Sequence, residues 1–229
     1  MSEKIILITG ANGALGSAIT NLFLAQGHRV IGASLNISAK DFPQANFEPL
    51  SLDFTDVDKV RAAIQSLIGK YNRLDGLIHV MGAFAGGQSI TETTDKTWSQ
   101  MQNLNLSSAF YVLRETIPHL RKSGQGRIMV IGSLAANEPH ANLGAYVVFK
   151  SALSMLVRTV AAENYDAGLT ANVILPDTMD TPANRRDMPQ ADFSKWLPVA
   201  QVADLALWLA DDSAAHITGT EIPITAARS

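Results

Sequence analysis

Apolar positions along this chain change period repeatedly, and each change marks where one element ends and the next begins. Ile5-Ile6-Leu7-Ile8 is an unbroken apolar run, the pattern of a parallel strand covered on both faces. Leu15, Ile19, Leu22 and Phe23 then fall at helical spacing, and Gly27 closes that helix. Residues 28–33 return to strand, followed by a strand at 47–52 and a helix with the apolar stripe Val57, Val60, Ile64, Leu67 and Ile68. A strand is predicted at 76–81, then a long helix over 96–121 bent near Pro118, and a strand at 127–131. A helix at 146–165, a strand at 171–175, a helix at 200–210 and a strand at 220–224 complete the pattern. Pro223 has no amide to donate, so the last strand is expected at a sheet edge.

Strands that alternate with helices predict an α/β fold with a doubly wound parallel sheet and helices on both faces. A length of 229 residues suits one such domain rather than two. Residues 177–197 break the rhythm with Pro182, Pro189 and the polar run Asn184-Arg185-Arg186-Asp187. They are expected to be irregular. Their place beyond a strand's carboxyl end makes them a candidate substrate lid.

Composition removes several classes of function. With 47% hydrophobic and 17% charged residues the chain has the make-up of a folded protein. A net charge of −3 gives no pull toward nucleic acid or anionic lipid, so neither is an expected partner. The absence of cysteine removes disulfides, thiolate nucleophiles and cysteine metal sites. The five histidines (His28, His79, His119, His140, His216) lack the paired helical spacing of a zinc site, and no metal is expected. No apolar run reaches the roughly 18 residues of a membrane span. The first strand follows directly on Met1-Ser2-Glu3-Lys4 without a leader pattern, which predicts cytoplasmic residence.

The candidate chemistry begins between the first strand and first helix, in Thr9-Gly10-Ala11-Asn12-Gly13-Ala14-Leu15-Gly16. Glycines there allow a tight turn and let backbone amides at a helix start approach a pyrophosphate. Gly10, Gly13 and Gly16 depart from the standard dinucleotide spacing, and a glycine-rich connection without a ligand is the plain alternative. The second strand ends Ala33-Ser34-Leu35-Asn36, with no acid to bind ribose hydroxyls. That leans the cofactor toward NADP over NAD, with Ser34 or Asn36 as donors to a 2′-phosphate. Asp53 is a candidate acceptor for an adenine amino group, or an acid at a helix start beside Thr55.

Tyr146 and Lys150 are four residues apart and share a helical face. Ser133 ends a strand ahead of them, and Asn105 adds a polar group in the long helix. The run Ile131-Gly132-Ser133-Leu134-Ala135 is not a nucleophile elbow, which argues against serine hydrolysis. Hydride delivery to a carbonyl builds charge on oxygen, and a proton donor with a second hydrogen-bond donor stabilises it. A nearby ammonium favours phenolate, so Lys150 is expected to lower the Tyr146 pKa.

Taken together, Thr9-Gly10 with its glycines, Asn105, Ser133, Tyr146 and Lys150 resemble the signature of the short-chain dehydrogenase/reductase family over essentially the whole chain. The resemblance implies one Rossmann-like NAD(P)-binding domain spanning 1–229, acting as a carbonyl-type reductase. It implies Tyr146 as general acid, Ser133 holding the substrate oxygen, Lys150 on the nicotinamide ribose and Asn105 organising a water-linked proton path. The candidate cofactor contacts are Gly10, Asn12, Gly13, Leu15, Gly16, Ser34, Asp53, Gly82, Tyr146, Lys150, Pro176, Thr178 and Thr181, with Thr181 on the carboxamide. Phe84, Ser133 and Tyr146 are the candidate substrate contacts.

Two stretches, Gly82 to Gly87 and Asp180 to Phe193, look like the corresponding loops of dihydropteridine reductases. Those enzymes tend to carry tryptophan where Phe84 stands and to lack the serine at Ser133, which suits ordinary ketone or aldehyde reduction. Quinonoid dihydropteridine is the alternative substrate, and a catalytically silent nucleotide sensor is a rival of another class. The helices around 104–120 and 145–160 are apolar on more than one face, with Leu106, Phe110, Leu153 and Leu156 as candidate contacts. A homodimer or homotetramer through them is expected.

Overall fold

The computed structural model describes residues 3–226. Its strands are β1 (Ile5–Thr9), β2 (Arg29–Ser34), β3 (Phe47–Ser51), β4 (Gly76–His79), β5 (Arg127–Ile131) and β6 (Thr170–Pro176), with two short ones, β7 (Met179–Asp180) and β8 (Leu197–Pro198), and finally β9 (Glu221–Ile224). Seven of them form a wholly parallel sheet in the order β3-β2-β1-β4-β5-β6-β9. The order reverses beside β1, and the crevice at the carboxyl ends of β1 and β4 is the place where open α/β sheets bind ligands. Both edge strands carry a proline, Pro49 in β3 and Pro223 in β9, consistent with the missing donor facing away from the ladder.

The helices are α1 (Ala14–Ala25), α2 (Val57–Tyr71), α3 (Asp95–Gln102), α4 (Ser108–Lys122), α5 (Gly144–Glu163), α6 (Pro182–Asp187) and α7 (Val199–Ala210). Alternation along each strand sends side chains to opposite cores. Leu7, Leu77, Ile128 and Val130 face α2, α4 and α5, whereas Ile6, Ile8, Ile78 and Met129 face α1 and α7. The chain thus forms a single domain of three layers. α5 is 20 residues long and includes an 18-residue stretch with a mean hydropathy of 1.4, enough by length and composition to cross a bilayer, yet Leu153 and Val157 on it are fully buried against the sheet.

The helix expected over 96–121 is three pieces: α3, a π-turn at Asn103–Ser107, and α4. Pro118 sits inside α4, and the irregularity lies at Asn105 instead. There the Asn105 side-chain amide donates to the Met101 carbonyl, four residues back, at 3.1 Å. That carbonyl is the one an α-helix reserves for the Asn105 backbone amide, so competition at this position favours the wider turn.

The segment 177–197 is ordered rather than irregular. β7 pairs with β8, and between them α6 starts with Thr181, whose hydroxyl oxygen accepts from the Asn184 amide at 3.2 Å, followed by Pro182. A threonine cap and a proline in the first turn are recognised start signals, but a six-residue helix and two-residue strands are too short to show a period. Of the residues expected at a subunit contact, Leu153 belongs to the core, Leu106 and Leu156 pack against it, and Phe110 is exposed.

Close packing between loops generates a stability prediction. Gly168 has φ +67°, and a Cβ there would stand 2.2 Å from the Gly124 carbonyl oxygen. Gly168→Ala is expected to cost about 2 kcal/mol or more in a urea titration. Gly69→Ala, on the exposed last turn of α2 where a Cβ meets nothing, should instead gain up to about 1 kcal/mol. Equal effects at the two positions would contradict the packing argument.

Candidate active site

A cavity of about 840 Å³ opens at the carboxyl end of the sheet, at the switch point. Its floor is the turn between β1 and α1. Gly13 caps α1 without a side-chain hydrogen bond, and the first turn of the helix holds no acid, so the leading amides are unclaimed by side chains. Gly10 has φ +66°, and a Cβ on Gly16 would lie 2.0 Å from the Gly10 carbonyl oxygen. Backbone therefore approaches backbone where only glycine fits. Gly10, Asn12, Gly13, Leu15 and Gly16 all line the cavity, forming a cradle that suits a pyrophosphate.

The Thr9 hydroxyl fastens this turn to β4. Its oxygen accepts from the amides of Val80 at 3.2 Å and Met81 at 3.3 Å, so its own proton goes to His79 Nδ1 at 3.0 Å. His79 is consequently the neutral tautomer with its hydrogen on Nε2. Burial, aided by the charge of Lys150, holds this imidazole at about 3, so it stays uncharged at neutral pH.

Just beyond, Gly82 passes between two polar side chains. A Cβ there would meet Asn105 Oδ1 at 2.9 Å and Lys150 Nζ at 3.0 Å. Asn105 is fully engaged: Oδ1 accepts from the Ala83 amide at 3.0 Å, and Nδ2 donates to the carbonyls of Ala83 and Met101. Its side chain latches the loop after β4 onto the π-turn and does not line the cavity.

α5 supplies Tyr146 and Lys150 on one face, and both line the cavity with Ser133 at the end of β5. Lys150 Nζ donates to the Ile131 carbonyl at 2.9 Å, which fixes the ammonium and leaves two protons for other acceptors. Burial lowers its pKa to about 8. Burial also pushes the Tyr146 phenol above its ordinary value, with the Ser133 hydroxyl acting in the opposite direction. In the unliganded chain these two influences, rather than the lysine expected from the sequence, set the phenol. The Phe84 ring meets the Tyr146 ring edge-on, centroids 5.0 Å apart, and is 64% exposed at the cavity mouth.

The far wall comes from β6 and the segment beyond it. Pro176, Thr178 and Thr181 line the cavity, as do Asp187 and Met188, which the sequence did not single out. The Thr181 hydroxyl uses its oxygen as the α6 cap, and its proton remains for an acceptor in the cavity. Ser34 and Asp53 lie outside the wall. Ser34 closes β2 with its hydroxyl buried and without a protein partner, while Asp53 Oδ1 accepts from the Thr55 amide and hydroxyl at 2.9 and 2.7 Å. The cap of α2 is Asp56, not Asp53.

Comparison with known proteins agrees with this arrangement. The sequence profile of the family described as Enoyl-(Acyl carrier protein) reductase matches residues 10–226. The chain is similar to the 3beta-hydroxysteroid dehydrogenase of Mediterraneibacter gnavus, 28% identical, with 95% of this chain and 92% of that protein covered. It superposes on the structure "ElxO with NADP Bound" with TM-score 0.90 and 24% identity, covering 97% of both chains. A 3-ketoacyl-(acyl-carrier-protein) reductase from Brucella melitensis complexed with NADH gives TM-score 0.85 and 21% identity, with 96% of both covered. These two structural likenesses speak for the fold. The protein belongs to the short-chain dehydrogenase/reductase family and is an oxidoreductase of its NAD(P)-binding class.

The buried ammonium makes stability depend on pH. Lys150 titrates at about 8 in the folded chain against 10.5 for an ordinary lysine, so between these values the unfolded chain binds more protons and stability rises with pH. From pH 8 to 10 the native chain is expected to gain about 2 kcal/mol relative to Lys150→Met in denaturant titrations. Parallel profiles for the two proteins would show that the ammonium is not desolvated.

Proposed function

We propose that the protein reduces a small carbonyl compound with NAD(P)H, with Tyr146 as the general acid. The observation that carries this reading is the convergence of Ser133, Tyr146 and Lys150 on one cavity whose floor is the glycine cradle. A reduced nicotinamide, when bound, supplies the hydride. The chain's own groups then manage charge and protons. Ser133 donates to the substrate oxygen, Tyr146 gives that oxygen its proton, and Lys150, anchored at Ile131, donates to the nicotinamide ribose. Asn105 holds the loop of Gly82 and Ala83, and the carbonyls of its π-turn are suited to a water chain leading from the lysine.

For the cofactor, Gly10, Gly13 and Gly16 take the pyrophosphate, Asn12 and Leu15 flank it, and Gly82, Pro176, Thr178 and Thr181 enclose the nicotinamide, with the Thr181 proton directed to its carboxamide. The free Ser34 hydroxyl and the absence of an acid after β2 favour NADP over NAD. Asp53, engaged through one oxygen by Thr55, keeps the other for an adenine amino group. The exposed apolar side chains Phe110 on α4 and Val148 and Met155 on α5 fit pairing of subunits through these helices. The segment 177–197 acts as the lid in this reading.

Quinonoid dihydropteridine is the second reading, favoured by the exposed Phe84 ring on which a flat heterocycle can stack. Steady-state oxidation of NAD(P)H with aldehydes, ketones and the pteridine ranks the two.

Tyr146→Phe is expected to lower kcat by at least about 100-fold while cofactor affinity, read by fluorescence titration, is kept. Near-normal turnover would remove the phenol from the mechanism, and a native chain that binds cofactor but reduces nothing would point to the silent sensor. Lys150→Ala should damage affinity and rate together. A carboxylate in place of Ser34 tests the phosphate preference: Ser34→Asp is expected to raise KM for NADPH about tenfold or more and leave that for NADH nearly unchanged. An equal change in both would place the 2′ position elsewhere.

A further inference from the structure

Charge is distributed unevenly around the substrate end of the cavity. Only three ionisable acids and bases of ordinary charge stand on its wall: Lys150, Asp177 and Asp187. Lys150 lies deep, with its ammonium bound to the Ile131 carbonyl, so its charge is set back from the mouth. Asp177 accepts from the Thr178 amide at 2.7 Å through one oxygen.

The lid does carry cations, but they are turned away. Arg185 is held by both Asp180 oxygens at 2.6 and 2.7 Å, and its guanidinium lies 4.7 Å from the centre of the Phe193 ring. Neither Arg185 nor Arg186 lines the cavity, whereas Asp187, the next residue and the last of α6, does. Asp187 makes no ion pair among the described residues. The cavity wall also carries the apolar side chains of Phe84, Leu143 and Met188.

Building on the carbonyl-reductase reading, we infer that this site selects uncharged, apolar carbonyl compounds and rejects anionic ones, with Asp187 as the specificity-determining residue. A carboxylate or phosphate on the substrate meets the like charges of Asp177 and Asp187 on the wall, and the phosphates of a bound dinucleotide add to the repulsion. An uncharged ring or alkyl group meets Phe84, Leu143 and Met188 without penalty. Because Asp187 is exposed, water and salt screen it, and the selection is electrostatic and salt-dependent rather than absolute.

The test uses one pair of aldehydes, methyl 4-formylbenzoate and its free carboxylate 4-formylbenzoate, with NADPH and NADH in turn. The measured quantity is the ratio of kcat/KM for ester over carboxylate, compared between the native chain, Asp187→Asn and Asp187→Lys. Comparing ratios between proteins cancels the different intrinsic reactivity of the two aldehydes. The native ratio is expected to fall about threefold in Asp187→Asn and about tenfold or more in Asp187→Lys, and to shrink in the native chain at 1 M salt, where the screening length is about 3 Å. A ratio that is the same in all three proteins, or indifferent to salt, overturns the inference. Absence of turnover of both aldehydes under every condition would count against the reductase reading itself, and the selectivity falls with it. Turnover of both with unchanged ratios overturns the selectivity alone.

Discussion

A lysine ammonium withdrawn from water is costly to keep, and the site is arranged around meeting that cost. Lys150 has one fixed protein acceptor, the Ile131 carbonyl, and burial alone brings its pKa to about 8. The geometry requires α5 to dock closely on the sheet, which it does over β6 through Leu153 and Val157. It also requires the chain after β4 to pass without a side chain, because a Cβ on Gly82 would press on the ammonium and on Asn105 together. Tyr146 sits one turn before Lys150, so seating the lysine also seats the phenol.

The cofactor side depends on β1 and β4 being held in register at their carboxyl ends. The Thr9 hydroxyl does this with three hydrogen bonds, two received from the Val80 and Met81 amides just beyond β4 and one given to His79. Since His79 is buried and uncharged, the clasp keeps the same donors and acceptors across the neutral pH range. The turn that follows can then be built from glycines with little risk of wandering, as Gly16 packs directly on the Gly10 carbonyl. Rigidity comes from polar bonds in the strands, and access from the absence of side chains in the loop.

What was legible in the sequence follows from length. Strands of five to seven residues and helices of twelve to twenty leave periods that can be read, and their alternation implies a doubly wound parallel sheet. The pair Tyr146 and Lys150 and the glycines of the first turn were visible because local spacing fixes where they point. The π-turn was not, because an asparagine within a helical run does not reveal that its side chain will take the Met101 carbonyl, and its hold on Ala83, twenty-two residues away, leaves no local pattern. The same holds for Thr9 and His79, seventy residues apart. Segment 177–197 was taken as irregular because its strands are two residues long, although Thr181-Pro182 was a readable helix start.

The division of labour between sheet and lid has a physical basis. Ser133, Tyr146 and Lys150 are carried by β5 and α5, elements locked into the core on both sides of the sheet. Asp187 and Met188 are carried by α6, whose order comes from near-neighbour bonds: Thr181 capping Asn184, Asn184 reaching the Met179 carbonyl, and Arg185 paired with Asp180. Such bonds are partly or fully exposed and contribute little to global stability, so this region belongs to the easily opened part of the molecule. In the proposed reaction, placing Ser133, Tyr146 and Lys150 on the rigid part and Asp187 on the loose part lets the wall change with little consequence for proton transfer. Selectivity can therefore be altered at Asp187 without disturbing the Lys150 anchor, because no hydrogen bond connects the two among the described residues.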